Sequence, residues 1–364
     1  MELNQPKELK YFEIPVLSEY ILDARKKIPS DIDTNIYTGI KKDSKEKVVF
    51  KLKNIDSYYS HYLNKEYLIY KELEGIKRIP KVYAVGQQGN YNVLITELLG
   101  QSLKMLMKYV GEKFSLATTL KIGIQVLDII KKIHKKGVVL RYLKPGNMVI
   151  GIGENKDYIY LIDFEIAKKY IKNGEHIPYR EEIDVKGNRD YISINTHNGI
   201  EISRRDDIES LGYNLIYFMK GKLPWSNGSD SDSILEKKIN TSLDELCIGL
   251  PKEFKDFIKY SRDLEFEQEP DYNYLNKLLL NVGNKNGINI DKVKYDWEIK
   301  DEEKKSEKEK EKENLKEVKI NVKDKTIKEE NKIENKEKIE EDKEIQKDKL
   351  IVTFDEDFSK INIK

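Results

Sequence analysis

Only one cysteine, Cys247, stands in the 364-residue chain. A lone thiol excludes an internal disulfide framework and fits a reducing compartment. No glycine occurs between Met1 and Gly39. No run of about 18 apolar residues is present, so no membrane-spanning helix is expected. The opening MELNQPKELKYFEIP lacks the apolar stretch of a secretory signal. Neither sign of charge is in excess: 66 Lys and Arg face 65 Asp and Glu, for a net charge of +1. That balance gives no global pull toward nucleic acid or a membrane surface. Four histidines and one cysteine offer no metal-site spacing. Together these absences predict a soluble, intracellular protein.

What is present is unevenly spread. Up to about residue 300 the chain is regularly patterned and carries most of the aromatics. KVVFKLKN (47–54) and YNVLITELL (91–99) read as strands. Between them, 61–75 has helical spacing, with Leu63, Tyr67, Tyr70 and Leu73 on one stripe. From Ser115, a candidate N-cap, a helix is expected to run to Gly137. Its residues Leu116, Leu120, Ile124, Leu127 and Ile130 recur at helical spacing, and it reads as buried nearly all round. Further helices are expected in 206–221, 251–265 and 271–281. The pattern predicts an α+β, bilobal fold: a small sheet-rich lobe over about 16–97 and a larger helical lobe over about 98–300.

From Asp301 to Lys349 stand 16 Lys and 18 Asp or Glu. Such a segment cannot bury a core of its own, so 301–364 reads as a mostly disordered, charged tail. A solvated helix held by Glu–Lys pairs four apart is the other reading. The tail has more acids than lysines and no arginine, which argues for a spacer over a nucleic-acid arm. LIVTFDEDF (350–358) is a short apolar island suited to docking on a partner or on the preceding domain.

HIPYREEIDVKGNRDYISINTHNGIEISRRDDIESLGY (176–213) closely resembles the activation segment and following helix of the casein kinase I family. GKLPWSN (221–227), ELCIGLPKEF (245–254), EPDYNYLNKLL (269–279) and YDWEIK (295–300) continue the likeness, and YNVLITELLGQSLKML (91–106) resembles that family's hinge. The likeness covers about residues 16 to 300. Vaccinia-related kinases form a sister branch, but the SINTH and SRRDD strings favour casein kinase I. The resemblance implies a protein-kinase-like domain over 1–300.

The resemblance also assigns roles. A kinase needs a lysine on the nucleotide phosphates and a carboxylate to hold that lysine. Lys51, in VVFK, matches the first, and Glu66 lies in the helix that supplies the second. Asp163, in LIDFE, matches the metal-binding aspartate, and Asn147, in KPGN, the asparagine supporting a second magnesium. Lys144 matches the lysine that contacts the transferring phosphate. Arg141 also remains, and Asp207 stands where the family anchors its catalytic-loop backbone.

Other positions depart from the family. In its glycine-rich loop, backbone N–H groups approach the ATP phosphates with no Cβ in the way. Anchored on NIYTG (35–39), the corresponding stretch is PSDIDT, with Pro29, Asp31 and Thr34 at the three glycine positions. Pro29 has no donor. Asp31 and Asp33 bring negative charge toward a triphosphate, on the order of 4 kcal/mol per contact at ~4 Å and an effective dielectric of about 20. Because no glycine precedes Gly39, this loss does not depend on register.

The catalytic loop reads LRYLKPGN (140–147), with Tyr142 at the position of the aspartate that accepts the substrate hydroxyl proton. A phenol keeps its proton at neutral pH and cannot be that base. Leu140 replaces the loop histidine. Glu165 replaces the glycine after Asp163 and Phe164, adding a Cβ and a charge. On the substrate surface the resemblance places an anion-binding arginine at Asp190, beside Arg189. The nearby basic loop is shortened to SNGSDSDS (226–233), with Asp230 and Asp232 in place of lysines. His134, at a helix end, reads as structural or exposed and not as an acid–base group.

The expected function is therefore a casein kinase I-like pseudokinase, a protein-binding or allosteric module without efficient phosphoryl transfer. Its partner is expected to be a protein, such as an active kinase or its substrate, with no nucleic acid and no membrane. No cofactor is expected. ATP and magnesium enter only in two alternatives: a weak Ser/Thr kinase using Lys51, Asn147 and Asp163, and a sensor that binds ATP without turnover.

Overall fold

The computed structural model describes residues 18–28, 34–226, 228 and 230–357, without side chains at 313–325, 327, 330 and 345–357. The chain divides after Trp297 into two units.

In the first unit, strands β1 (Tyr20–Ile28), β2 (Asn35–Lys41), β3 (Lys47–Asn54), β4 (Val82–Gln88) and β5 (Tyr91–Glu97) form one antiparallel sheet in the order β1-β2-β3-β5-β4. Alternation builds it: Val48 and Phe50 of β3 pack with Val93 and Ile95 of β5 on one face. Gly39 is required where β2 crosses β1, because a Cβ there would meet the Ile21 carbonyl oxygen at 2.3 Å and the Phe50 ring at 2.4 Å. Between β3 and β4 runs helix α1 (Tyr62–Glu72), burying Leu63, Ile69 and Tyr70.

The helical lobe is organised by two long helices. Helix α3 (Leu116–Lys135) starts where Ser115 Oγ accepts the Thr118 N–H at 3.2 Å, and it gives way to Gly137 at φ +75°. Helix α5 (Arg204–Lys220) opens with a Ser203–Asp206 capping box and ends at Gly221, φ +75°. Around them pack α2 (Leu103–Val110), α4 (Ile194–His197), α6 (Ser231–Asn240), α7 (Leu243–Leu246), α8 (Lys252–Asp263) and α9 (Tyr272–Lys285). Short pairs β6 (Val138–Val139) with β9 (Lys168–Lys169), and β7 (Met148–Ile150) with β8 (Ile159–Leu161), fix the loops that face the sheet lobe. Trp225, Tyr213 and Phe218 are wholly buried in the core.

Beyond Tyr295 the chain runs in helix α10 (Asp296–Asp357). Lys and Glu are good helix formers, and no Pro or Gly interrupts them after residue 300. Its described side chains beyond residue 300 are exposed, including Ile333 and Ile339, as expected of a charged segment that buries no core of its own. The side chains of the apolar island 350–358 lie outside the described residues. No described helix is long and apolar enough to cross a membrane.

Candidate functional site

On β3, Lys51 and Lys53 are two residues apart and so share one face of the strand. Lys51 Nζ donates to Glu66 Oε2 and to Asp163 Oδ1, both at 2.8 Å, and lies 3.6 Å from Glu165 Oε2. Lys53 is buried and makes its own ion pair with Glu165. Glu66, 1% exposed, also accepts the Phe164 N–H at 3.2 Å, while the Phe164 ring packs edge-on against Tyr70 of α1. Burial pulls the Lys51 ammonium down, but Asp163, Glu66 and Glu165 more than offset it and hold its pKa well above the usual lysine range. Burial pushes the Glu66 carboxyl up despite Lys51.

The structure thus brings together Lys51, Glu66, Asp163 and Asn147, whose Nδ2 lies 3.5 Å from Asp163 Oδ2. Sequence reasoning placed Glu165 beside Asp163 as added charge, but it missed Lys53 and the turn of Glu165 toward both lysines. The period-two spacing of Lys51 and Lys53 was the available signal. Among the described residues no group of three or more His, Cys, Asp or Glu side chains is arranged to hold a metal ion.

The loop 140–147 is held from below by Asp207, which accepts from Leu140 N at 2.7 Å, Arg141 N at 2.9 Å and His134 Nε2 at 2.8 Å. His134 is buried, its Nδ1 2.7 Å from the Tyr272 hydroxyl, and so is structural. Arg141 and Asp163 both sit at φ +67°, a left-handed conformation that costs side-chain-bearing residues energy and is kept only where surroundings impose it. Within the loop, Lys144 Nζ donates to Tyr142 Oη at 2.7 Å and lies 4.0 Å from the centre of its ring. Asn147 Nδ2 donates to the Tyr142 carbonyl at 3.0 Å. Of the positions where the resemblance expects glycines, Thr34 is half-buried just before β2. Pro29 and Asp31 lie outside the described residues, in the connection from β1 to β2.

Asp190 is half-buried, its carbonyl accepting from Trp225 Nε1 at 2.8 Å, and burial raises its carboxyl pKa although Lys238 opposes this. Lys238 is itself buried, donating to the carbonyls of Arg189 at 2.8 Å and Ile192 at 2.5 Å. The stretch read as a shortened loop begins helix α6 at residue 231: Asp230 is its N-cap, accepting from Ser233 N at 2.8 Å. Burial, with Lys238 and Arg189 near, pushes the His197 imidazole down to about 3. A depressed histidine supplies stability that is full above the ordinary histidine pKa and is lost as pH falls from about 6.5 toward 3. The stability advantage of the native chain over His197→Leu should therefore shrink below pH 6.5 by up to about 1.4 kcal/mol per pH unit. Urea titrations at pH 7.5, 6 and 4.5 measure it, and parallel profiles would mean that His197 charges freely in the folded chain.

The sheet lobe and the helical lobe meet where Lys51 of β3 pairs with Glu66 of α1 and with Asp163. A family model for the protein kinase domain matches residues 33–272, most of this chain, which therefore belongs to the protein kinase domain family.

Proposed function

We propose that the chain is a pseudokinase of casein kinase I type, acting inside the cell as a protein-binding or allosteric module without efficient phosphoryl transfer. The observation that carries this reading is the seat of Lys144 on Tyr142. The position expected to take the proton from an incoming hydroxyl holds a phenol, and that phenol engages the ammonium expected to meet the transferring phosphate. Loss of a positioned base costs roughly 10²–10⁴-fold in rate. An ammonium tied to that phenol has one donor fewer for the transferring phosphate, and phosphoryl transfer depends mainly on such charge stabilisation.

The side chains present fit a magnesium triphosphate poorly. Lys51 already faces three carboxylates, and Pro29, Asp31 and Thr34 stand in the sequence where glycines would wrap phosphate. The partner on this reading is a protein, an active kinase or its substrate. Nucleic acid and membrane play no part. The closeness of Lys51, Glu66, Asn147 and Asp163 favours two further readings, a weak Ser/Thr kinase and a nucleotide sensor without turnover.

Incubation of purified protein with radiolabelled ATP and casein should transfer no label above an Asp163→Ala control. Tyr142→Asp alone should restore little, because the glycine positions stay filled. Transfer that Asp163→Ala abolishes would sink the pseudokinase reading. For the sensor, ligand at 100 times its dissociation constant stabilises by about 2.7 kcal/mol, so an unchanged melting temperature at millimolar MgATP eliminates it.

A further inference from the structure

A buried ammonium needs counter-charge, and each lysine has three N–H groups to place. Lys51 donates to Glu66 and Asp163 at 2.8 Å each and faces Glu165 at 3.6 Å, so its donors are engaged by the protein itself. Lys53 is 4% exposed, lies 5.7 and 5.8 Å from the ring centres of Tyr59 and Tyr62, and pairs with Glu165. Glu165 is therefore anchored by a second cation that takes no part in the Lys51–Glu66 pair. Both lysines belong to β3 of the sheet lobe, while Glu165 follows Asp163 in the helical lobe, so the contact spans the cleft.

We propose that Glu165 is a built-in counter-ion of the phosphate lysine: bridging Lys51 and Lys53, it holds the ground a nucleotide phosphate needs, so the lobes are clasped without ligand. This rests on reading the cleft as one that does not use nucleotide phosphate, and it names the residue that enforces that choice. A phosphate entering here must break the Glu165 contact and then lie against two carboxylates, Asp163 and the displaced Glu165. Replacing Glu165 by an uncharged residue frees one face of Lys51 and strips the buried Lys53 of its ion-pair partner. The same substitution thus weakens the ligand-free clasp and opens the site to phosphate.

Calorimetric titration of MgATP and of adenosine into the unaltered protein, Glu165→Gln and Glu165→Gly, with ligand-free melting curves, tests this. Both variants should melt several degrees lower without ligand. Both should gain at least about tenfold in MgATP affinity, the worth of one charge-assisted contact. Adenosine, lacking phosphate, should bind all three proteins alike. Equal MgATP affinity throughout, with unchanged melting temperatures, overturns the proposal. Should the variants fail to fold, hydrogen exchange on the unaltered chain decides: α1 and β3 amides should be protected without nucleotide and unchanged by millimolar MgATP, and protection that rises with MgATP overturns it. Phosphoryl transfer by the unaltered protein would defeat the pseudokinase reading, whereas a gain in affinity in Glu165→Gln would still uphold the counter-ion role.

Discussion

Lys51→Met should lower the melting temperature of the ligand-free protein by roughly 10 °C, following from a loss of about 3–5 kcal/mol when one partner of a buried ion pair is removed. A lysine retained only to hold nucleotide would be dispensable to a chain without ligand. Here the ammonium is the hub of the lobe contact, paired with Glu66, Asp163 and Glu165. Methionine keeps the length of the side chain and removes the charge, leaving three carboxylates facing one another across the cleft. Lys53 remains to meet only Glu165.

The same variant should respond to pH in a defined direction. In the native chain burial already raises the Glu66 carboxyl to about 7. A raised carboxylate favours the folded state below its unfolded pKa, near 4.5, and that advantage is lost as pH rises to about 7. Without Lys51 the Glu66 pKa moves higher still, because its main opposing charge is gone. The deficit of Lys51→Met should therefore be smallest near pH 5, where the Glu66 carboxyl can take up a proton, and largest near pH 8. Melting curves at both pH values measure it. A deficit below about 1 kcal/mol at pH 8, the scale of an exposed pair, would mean that Lys51 does not join the lobes.

Much of the fold was legible because its punctuation is local. Ser115 and Gly137 bracket α3 as expected, and the stripe of Leu63, Tyr70 and Leu73 faces the core. Helix α6 escaped notice because Asp230 was read for its charge. The signal was the spacing of Asp230 and Ser233, a capping box that starts a helix as readily as any longer motif. The tail's unbroken charge was legible too: its described side chains beyond residue 300 are exposed, as a segment without a core requires. At the site, Lys51, Glu66 and Asp163 were placed by resemblance and lie together. Period-two spacing places Lys53 on the face of Lys51, but its pairing with Glu165 has no further signature in one dimension, since the two residues meet only when the lobes do. Nor does any spacing rule show that Lys144 folds back on Tyr142, a contact made through a side chain two residues away in an irregular loop.

Asp207→Ala should cost roughly 3–5 kcal/mol, because each buried donor left without an acceptor costs about 1–3 kcal/mol and three donors converge on this carboxylate. Leu140 N, Arg141 N and His134 Nε2 all give it their hydrogens, at 2.7, 2.9 and 2.8 Å. Asp207 is 2% exposed, so bulk water does not reach it to take over. With Nε2–H donated to Asp207, the other ring nitrogen accepts from the Tyr272 hydroxyl, which links α3, α5 and α9 through one carboxylate. The two amides it holds fix the left-handed turn at Arg141, φ +67°, and hence where Tyr142 and Lys144 emerge. Asp207→Asn should recover only part of the loss: its single oxygen can replace Oδ1 or Oδ2 but not both, while its NH2 group points a further donor at the rest. Urea unfolding of both variants, with hydrogen exchange at the Leu140 and Arg141 amides, separates a local from a global effect. If Asp207→Ala unfolds within about 1 kcal/mol of the native chain and those amides stay protected, some other acceptor holds the loop, and the placement of Tyr142 does not depend on α5.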